Sequence, residues 1–512
     1  MTGTNHHRRP WLLAAVLLSA GQVALVWCFR FLPLYDYAVW LYEGKIVRDI
    51  IFAHGSASRY YELCPGPIPN STFTLFCAFL GGIASDEIGG KLFLSACVIG
   101  LPWAWWYAVR KNTQDSLSPV AFLGFPFAFH YYLLGAQNYS LGLVMVLWIA
   151  GAFVPRLDRL GKGAWLLLSL AITAVYFTHG IMFLILLVLL GTTAWNVQPT
   201  ERRRVFLRLS LAVIPAFVFF IWYVLAGAGN LATVPRWDLI TLARNAAKPF
   251  SIFFKSYGVP VVLPVTICNA LWLMMLGVFI VRAIYSAIHD RTMKMHIVPV
   301  VLACAAALVF LPDPTLSVVQ PGARFGLPLL ALACVALSAV RLSPRWNWVW
   351  LAWAGVALVY NTAFFDRFNR QACLVHADVQ EVVLSRQPSY IMSFDWPAGS
   401  SVWDKGSPSV NGLSFVPVYS FLETGGCVGV FETGWVRLRK EWRDLYPEIK
   451  GATTEEWYAS IFRTPTFLSP HRAVVVFGHG VQAADAVRSL QSAGYRIERA
   501  RTEWSVLVRG TE

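Results

Sequence analysis

WLLAAVLLSAGQVALVWCFRF, residues Trp11–Phe31, stands between the basic group His6-His7-Arg8-Arg9 and the aromatic run LPLYDYAVW, residues Leu32–Trp40. A helix needs about 20 apolar residues to cross the hydrocarbon core of a bilayer, so this run is long enough to span. Its basic flank resembles that of a signal peptide, but no small-residue cleavage site closes it. It therefore reads as an uncleaved first membrane helix with a cytoplasmic N-terminus.

Working outward, further apolar segments fall at roughly 91–109, 118–134, 139–154, 164–178, 181–196, 205–227, 259–281, 297–312, 325–340 and 346–365. The expectation is a polytopic α-helical membrane protein with about eleven transmembrane helices. Composition agrees: 57% of the 512 residues are hydrophobic, 14% are charged, and the mean hydropathy is +0.54. An ordinary soluble domain is about 25% charged. The deficit of charge lies in residues 1–365, whereas 366–512 have the mixed composition of a soluble fold. Two domains are expected, a transmembrane domain over 1–365 and a smaller α/β domain over 366–512.

The net charge of +14 does not mark a nucleic-acid binder, because the cations sit in short clusters between apolar runs. The clusters are Arg110-Lys111; Arg156, Arg159 and Lys162; Arg202-Arg203-Arg204 with Arg208; Arg282, Arg291 and Lys294; and Arg341 with Arg345. Each falls on every second loop, while the turns around Gln137-Asn138 and Thr178-His179-Gly180 carry no lysine or arginine. The positive-inside rule then places the N-terminus in the cytoplasm and the C-terminal domain outside. In a bacterial inner (plasma) membrane that domain would be periplasmic or extracellular. Of nine cysteines, Cys28, Cys77, Cys97, Cys268, Cys304 and Cys334 lie in apolar segments, where a buried thiol is ordinary. Cys64, Cys373 and Cys427 lie outside them, and an oxidising compartment could pair two.

Two outer segments are too long to be turns. The first loop, 32–90, is polar and punctuated by Pro and Gly, with one apolar piece, Ser71 to Gly81, that reads as re-entrant or interfacial. The loop from about 228 to 258 mixes Arg236, Arg244, Lys248 and Lys255 with Trp237, Phe250 and Phe253, a pattern suited to a helix lying on the membrane surface. Cations on the outer face run against the positive-inside rule and point to an anionic ligand. Asp36 opens the first loop immediately after helix 1, where a carboxylate can meet both a lipid headgroup and a water-soluble acceptor. On position alone, a solvated loop residue or a helix N-cap is the better reading of such an aspartate.

This order of features resembles the GT-C superfamily of integral-membrane glycosyltransferases. The resemblance rests on the short basic N-terminus, one helix, and a long external loop opening with Tyr35-Asp36-Tyr37. After these come Pro67-Ile68-Pro69-Asn70, the interfacial piece, and Lys91 at the mouth of the second helix. Two later stretches are similar to others in the superfamily, Gly135-Ala136-Gln137-Asn138 and the pair Arg324-Phe325 before a late helix. The resemblance implies a polyprenyl-phosphate-linked sugar donor, a cell-envelope glycan, lipid or protein acceptor, and Asp36 as the catalytic base. Arg324 and Lys91, with Arg244 and Lys248, would hold the donor phosphate, because fixed cations stabilise charge growing on a departing phosphate. Tyr35, Tyr37, Glu43, Asn138 and His179 are the candidate substrate contacts. Many relatives carry paired acids where this chain has one, so a divalent metal stays open, with Glu43 the nearest partner for Asp36.

In the C-terminal region, strands are expected at 389–394, 473–480 and 502–508, with a helix over about 481–493 closing at Gly494. Gly478-His479-Gly480 lacks the full dinucleotide fingerprint, so no nucleotide site is expected. Trp396, Trp403, Trp435 and Trp442 could stack on sugar rings or pack a core. The competing function classes are a membrane transporter or flippase, which would show repeated halves and broken mid-membrane helices, and a non-catalytic envelope scaffold.

Overall fold

The computed structural model describes residues 9–34, 37–52, 57–64, 68–113, 118–128, 137–227, 263–311, 322–383, 389–393, 436–440, 470–477, 481–501 and 504–510, with isolated positions 55, 66, 418, 419 and 422. The helices in chain order are α1 (Arg9–Cys28), α2 (Tyr37–Ile51), α3 (Thr72–Gly81), α4 (Asp86–Asn112), α5 (Gln137–Ala152), α6 (Lys162–Thr178) and α7 (Gly180–Trp195). They continue with α8 (Pro199–Gly227), α9 (Leu263–His289), α10 (Val298–Phe310), α11 (Gly326–Ala336), α12 (Trp346–Val383) and α13 (Val481–Ser492). The strands are β1 (Tyr61–Leu63), β2 (Ser389–Ser393), β3 (Val436–Leu438), β4 (Ala473–Phe477), β5 (Tyr495–Ala500) and β6 (Trp504–Arg509).

Among the described residues, five helices are long and apolar enough to cross a membrane, over Pro10–Cys28, Asp86–Asn112, Pro199–Leu225, Ala270–His289 and Trp346–Val382. Shorter apolar helices include α6, α7, α10 and α11. Leu207, Leu211, Val218 and Trp222 on α8, and Met274, Val278 and Val281 on α9, are exposed, an exterior that suits lipid rather than water. The chain is an integral multi-pass membrane protein. Among the described residues, the eleven expected spans do not appear as eleven helices of spanning length.

The largest departure is the expected span at 118–134. Its described residues, 118–128, are turns with a short 3-10 helix at Phe125–Phe127, and 129–134 lie outside the described residues. Buried backbone needs partners for its carbonyls, and here side chains from three helices supply them. Trp105 Nε1 donates to the Val120 carbonyl (3.2 Å), Asn347 Nδ2 to that of Ser118 (3.1 Å), Trp350 Nε1 to that of Pro119 (2.8 Å), and Gln22 Nε2 to that of Phe125 (3.2 Å). Irregular backbone is tolerated in membrane proteins where protein buries it in this way. Gly124 permits the approach, since a Cβ there would lie 2.9 Å from Trp105 Cβ.

α4 shows how local chemistry sets a helix. Ser85 caps it by accepting the Ile88 N–H at 3.2 Å, Asp86 and Glu87 occupy the first turn, and Arg110 and Lys111 the last. The first loop is not an open loop. α2 is largely buried and is joined to α4 by Arg48, whose two terminal nitrogens bond the Asp86 carboxylate at 2.5 and 2.9 Å. The apolar piece expected at 71–81 is helix α3.

The C-terminal residues form a four-stranded sheet of order β2-β4-β6-β5. β2 runs parallel to β4, and the β4–β6 and β6–β5 pairs are antiparallel. The expected strands at 389–394, 473–480 and 502–508 are present as β2, β4 and β6, and the expected helix is α13, followed by Gly494 at φ +90°. β5 and the β1–β3 pair were not anticipated. β1, from the first loop, pairs antiparallel with β3, Tyr61 opposite Leu438, and the Arg439 N–H continues the ladder to the Tyr60 carbonyl at 2.9 Å. α12 runs without a break through position 365 and packs on the sheet. The first loop, the far half of α12 and the sheet share one apolar core, with Phe31, Tyr42, Tyr61, Phe73, Phe368, Val375, Val475 and Val506 buried in it. Cys373 carries a free, exposed thiol, and Cys427 lies outside the described residues.

Asp378 is the polar joint in that core. It is 8% exposed and accepts from Arg501 Nε (2.9 Å), Arg501 Nη2 (3.3 Å) and Trp504 Nε1 (3.2 Å), tying α12 to the start of β6. Asp378→Ala leaves the buried indole N–H without its acceptor, and we expect a loss of about 1–3 kcal/mol, read as a lower unfolding midpoint in detergent. Arg501 is half exposed, so Arg501→Ala should lower the midpoint less than Asp378→Ala does. Equal losses in the two variants would show that the indole bond is not the important one.

Candidate functional site

The starting end of α3 is held by α5 and by the junction of α6 with α7. The first N–H groups of a helix have no partner within it, and here other elements supply one. Asn138 Oδ1 accepts the Phe73 N–H at 2.8 Å, and Asn138 Nδ2 donates to the Asn70 carbonyl at 2.6 Å. The Ser71 N–H reaches the Phe177 carbonyl at 2.9 Å, and the hydroxyls of Thr72 and Thr178 lie 3.1 Å apart. Asn70 turns the chain into α3 with φ +67°, a left-handed conformation that asparagine tolerates better than most residues.

His179 separates α6 from α7. Its backbone is extended (φ −165°, ψ 121°), its N–H closes α6 on the Val175 carbonyl at 2.8 Å, and its side chain is 4% exposed. The ring meets the edge of Tyr139 with centroids 5.2 Å apart. Gly142 makes room, because a Cβ there would lie 3.2 Å from the His179 Cβ. Arg324 arrives from the 3-10 turn Gly322–Phe325 ahead of α11. Its carbonyl accepts the Tyr139 hydroxyl at 2.5 Å, and its Nη1 lies 3.4 Å from His179 Nε2.

Two consequences follow for the electrostatics. Burial first, and the Arg324 guanidinium second, push the His179 pKa down to about 3, so the ring is neutral at pH 7. Arginine has only donors, so Nε2 must accept and the ring proton sits on Nδ1. Among the described residues, Arg324 faces a neutral imidazole and makes no ion pair with a carboxylate. A guanidinium positioned by its own backbone, partly buried and lacking a counter-charge is suited to an anionic ligand.

Of the residues singled out in the sequence, Asn138, His179 and Arg324 are brought together through Tyr139, which the sequence reading did not rank. Tyr37 is 1% exposed, with its ring 5.8 Å from that of Phe73 on α3. Glu43 is fully buried and accepts the Thr74 hydroxyl of α3 at 2.6 Å. Both therefore underlie the same short helix. Lys91 belongs to another neighbourhood, with Nζ donating to the Phe29 carbonyl at 2.7 Å and lying 5.9 Å from the Trp27 ring centroid. Tyr35, Asp36, Arg244 and Lys248 lie outside the described residues. Among the described residues, no group of three or more His, Cys, Asp or Glu side chains gathers as metal ligands do.

The neutral His179 makes a pH prediction. Its folded pKa lies below the ordinary value of 6.5, so the unfolded chain binds the extra proton between about pH 6.5 and 3. Its contribution is undiminished above about pH 6.5 and is lost as pH falls, by up to about 1.4 kcal/mol per pH unit. Relative to wild type, His179→Gln should flatten the decline in unfolding midpoint between pH 6.5 and 4.5. Parallel declines would mean that His179 is protonated in the folded protein.

No protein-family model matches the chain, and no curated protein is similar to it in sequence. Among solved structures, it is similar to the single-particle cryo-EM structure of the arabinofuranosyltransferase AftD from mycobacteria, at 11% identity and a TM-score of 0.42. The match covers 99% of this chain and 40% of that one, so the chain spans about two fifths of that protein's length.

Proposed function

We propose that the chain is a membrane glycosyltransferase that moves a sugar from a polyprenyl-phosphate donor to a cell-envelope acceptor on the outer face of the membrane. The observation that carries this reading is Arg324, fixed at the mouth of a helix by Tyr139 and His179 and given no carboxylate partner among the described residues. It is what a lipid-linked phosphate would need from a protein whose helices stand in the bilayer. Asp36, opening the first loop, supports the transferase over a simple lipid binder, because a carboxylate there can act as a base. Residues 366–512, taken as the external domain, would guide the acceptor.

In the proposed reaction the donor enters sideways from the outer leaflet and its phosphate meets Arg324. An acceptor hydroxyl oxygen attacks the anomeric carbon as its proton passes to Asp36. The bond from that carbon to the phosphate oxygen breaks, and polyprenyl phosphate leaves with the electron pair. A single displacement of this kind inverts the anomeric centre.

The test is release of polyprenyl phosphate from a panel of polyprenyl-phosphate sugars by protein in nanodiscs with envelope acceptors. Loss of a general base typically costs about 10²- to 10⁴-fold in turnover, so Asp36→Asn should lose that much while still binding donor. Arg324→Gln should weaken donor binding about tenfold or more, as expected for a hydrogen bond to a charged group. Equal release by wild type and Asp36→Asn would remove Asp36 from the reaction. If wild type neither bound nor turned over any donor, the glycosyltransferase reading would fall and transport or scaffolding would take its place.

A further inference from the structure

Buried polar atoms in folded proteins nearly always have a hydrogen-bond partner, and an exception asks for a water, an ion or a ligand. Around the held end of α3, such exceptions accumulate. The Tyr37 hydroxyl, Asn70 Oδ1, Gln137 Nε2 and His179 Nδ1 are all inaccessible to solvent and lack a hydrogen-bond partner among the described residues. Three of their side chains are more than nine-tenths buried, Tyr37 and Gln137 at 1% and His179 at 4% exposed.

These residues sit on elements bonded to one another. Asn70 and Gln137 are linked through Asn138, the neighbour of Gln137, whose Nδ2 holds the Asn70 carbonyl. Phe73, bonded to the same Asn138 through its N–H, has its ring against Tyr37. His179 follows Thr178, whose hydroxyl meets that of Thr72. The Tyr37 hydroxyl packs closely on the backbone of α4, since a Cβ on Gly90 would lie 2.3 Å from its oxygen.

The chemistry of the set is specific. His179 Nδ1 and Gln137 Nε2 are donors, Asn70 Oδ1 is an acceptor, and the Tyr37 hydroxyl is both. None is charged, and the phenol is held in its protonated form by burial. A phosphate would want donors and cations only. A ring bearing several hydroxyl groups, each of which donates and accepts, fits this mixture.

We propose that Tyr37, Asn70, Gln137 and His179 form an uncharged polar subsite that binds the hydroxyl groups of the sugar, next to Arg324 at the phosphate. The proposal rests on the glycosyltransferase reading and deepens it: Arg324 would recognise what all lipid-phosphate donors share, and the four orphan groups would distinguish one sugar from another. Gln137 and Asn70 thereby gain a role that their sequence context did not indicate.

The experiment compares equilibrium binding of sugar-free polyprenyl phosphate with that of polyprenyl-phosphate pentoses and hexoses. The proteins are wild type, Tyr37→Phe and Gln137→Met in nanodiscs, with unfolding midpoints measured alongside. Wild type should bind at least one sugar-bearing lipid more tightly than the sugar-free one. One hydrogen bond is worth about 0.5–1.5 kcal/mol net, so each variant should lose about two- to tenfold of that preference. Affinity for the sugar-free lipid should stay unchanged. The unfolding midpoint should hold or rise, because each change removes a buried polar atom that has no partner among the described residues. The two changes lie on different helices, so one misfolded variant leaves the other to decide.

Equal binding of sugar-free and sugar-bearing lipids by wild type would overturn the subsite while leaving the phosphate site standing. Retained preference with a lowered midpoint in a variant would also overturn it, assigning the orphan groups to buried water. Failure of wild type to bind even the sugar-free lipid would instead remove the phosphate site, and with it the reading on which the subsite rests.

Discussion

A short helix in a long loop has unpaired N–H groups at its start, and in this protein one asparagine side chain meets that need from a neighbouring helix. Asn138 uses both ends of its amide on α3, taking the Phe73 N–H and giving to the Asn70 carbonyl. Because the two contacts flank the turn into the helix, they fix its position and its direction together. The first loop is thereby fastened to the membrane helices, and Tyr37 and Glu43, packed beneath α3, take their places from it. An aspartate or a leucine of similar size could meet only one of the two demands or neither.

The second attachment of the loop is apolar. Its aromatic residues and those of α12 close over the inner face of the C-terminal sheet, with β1 pairing to β3 at the edge of this core. Burial on this scale stabilises far more than any of the polar contacts, but it is non-directional. The hydrogen bonds at Asn138, Asp378 and Arg48 set register within it.

The candidate site was partly legible in the sequence. Asn138, His179 and Arg324 stand at the ends of apolar runs, Asn138 and Arg324 within stretches that carry the superfamily resemblance, and the structure brings the three together. Tyr139 opens an apolar helix, a place where tyrosine is common simply as an interfacial anchor. Its bond to the carbonyl of Arg324, 185 residues away, leaves no mark on local composition. Lys91 looked equivalent to Arg324 by the same end-of-helix argument, yet it reaches back to the Phe29 carbonyl. A long flexible ammonium on a helix can turn either way, and the spacing of residues does not say which.

By itself the sequence determined that this is a multi-pass membrane protein ending in alternating strands and a helix, since both follow from the length and periodicity of apolar runs. Hydrophobic patterning reports how much of a segment leaves water, and that is all these conclusions need. Only the tertiary structure decided that 118–128 is irregular, because carbonyl partners on α1, α4 and α12 replace the helical ladder there. Only it made His179 neutral and left the guanidinium of Arg324 without a carboxylate partner among the described residues. Charge state and hydrogen-bond satisfaction depend on which groups from distant parts of the chain come within about three ångströms of each other, and that is information a linear pattern does not hold.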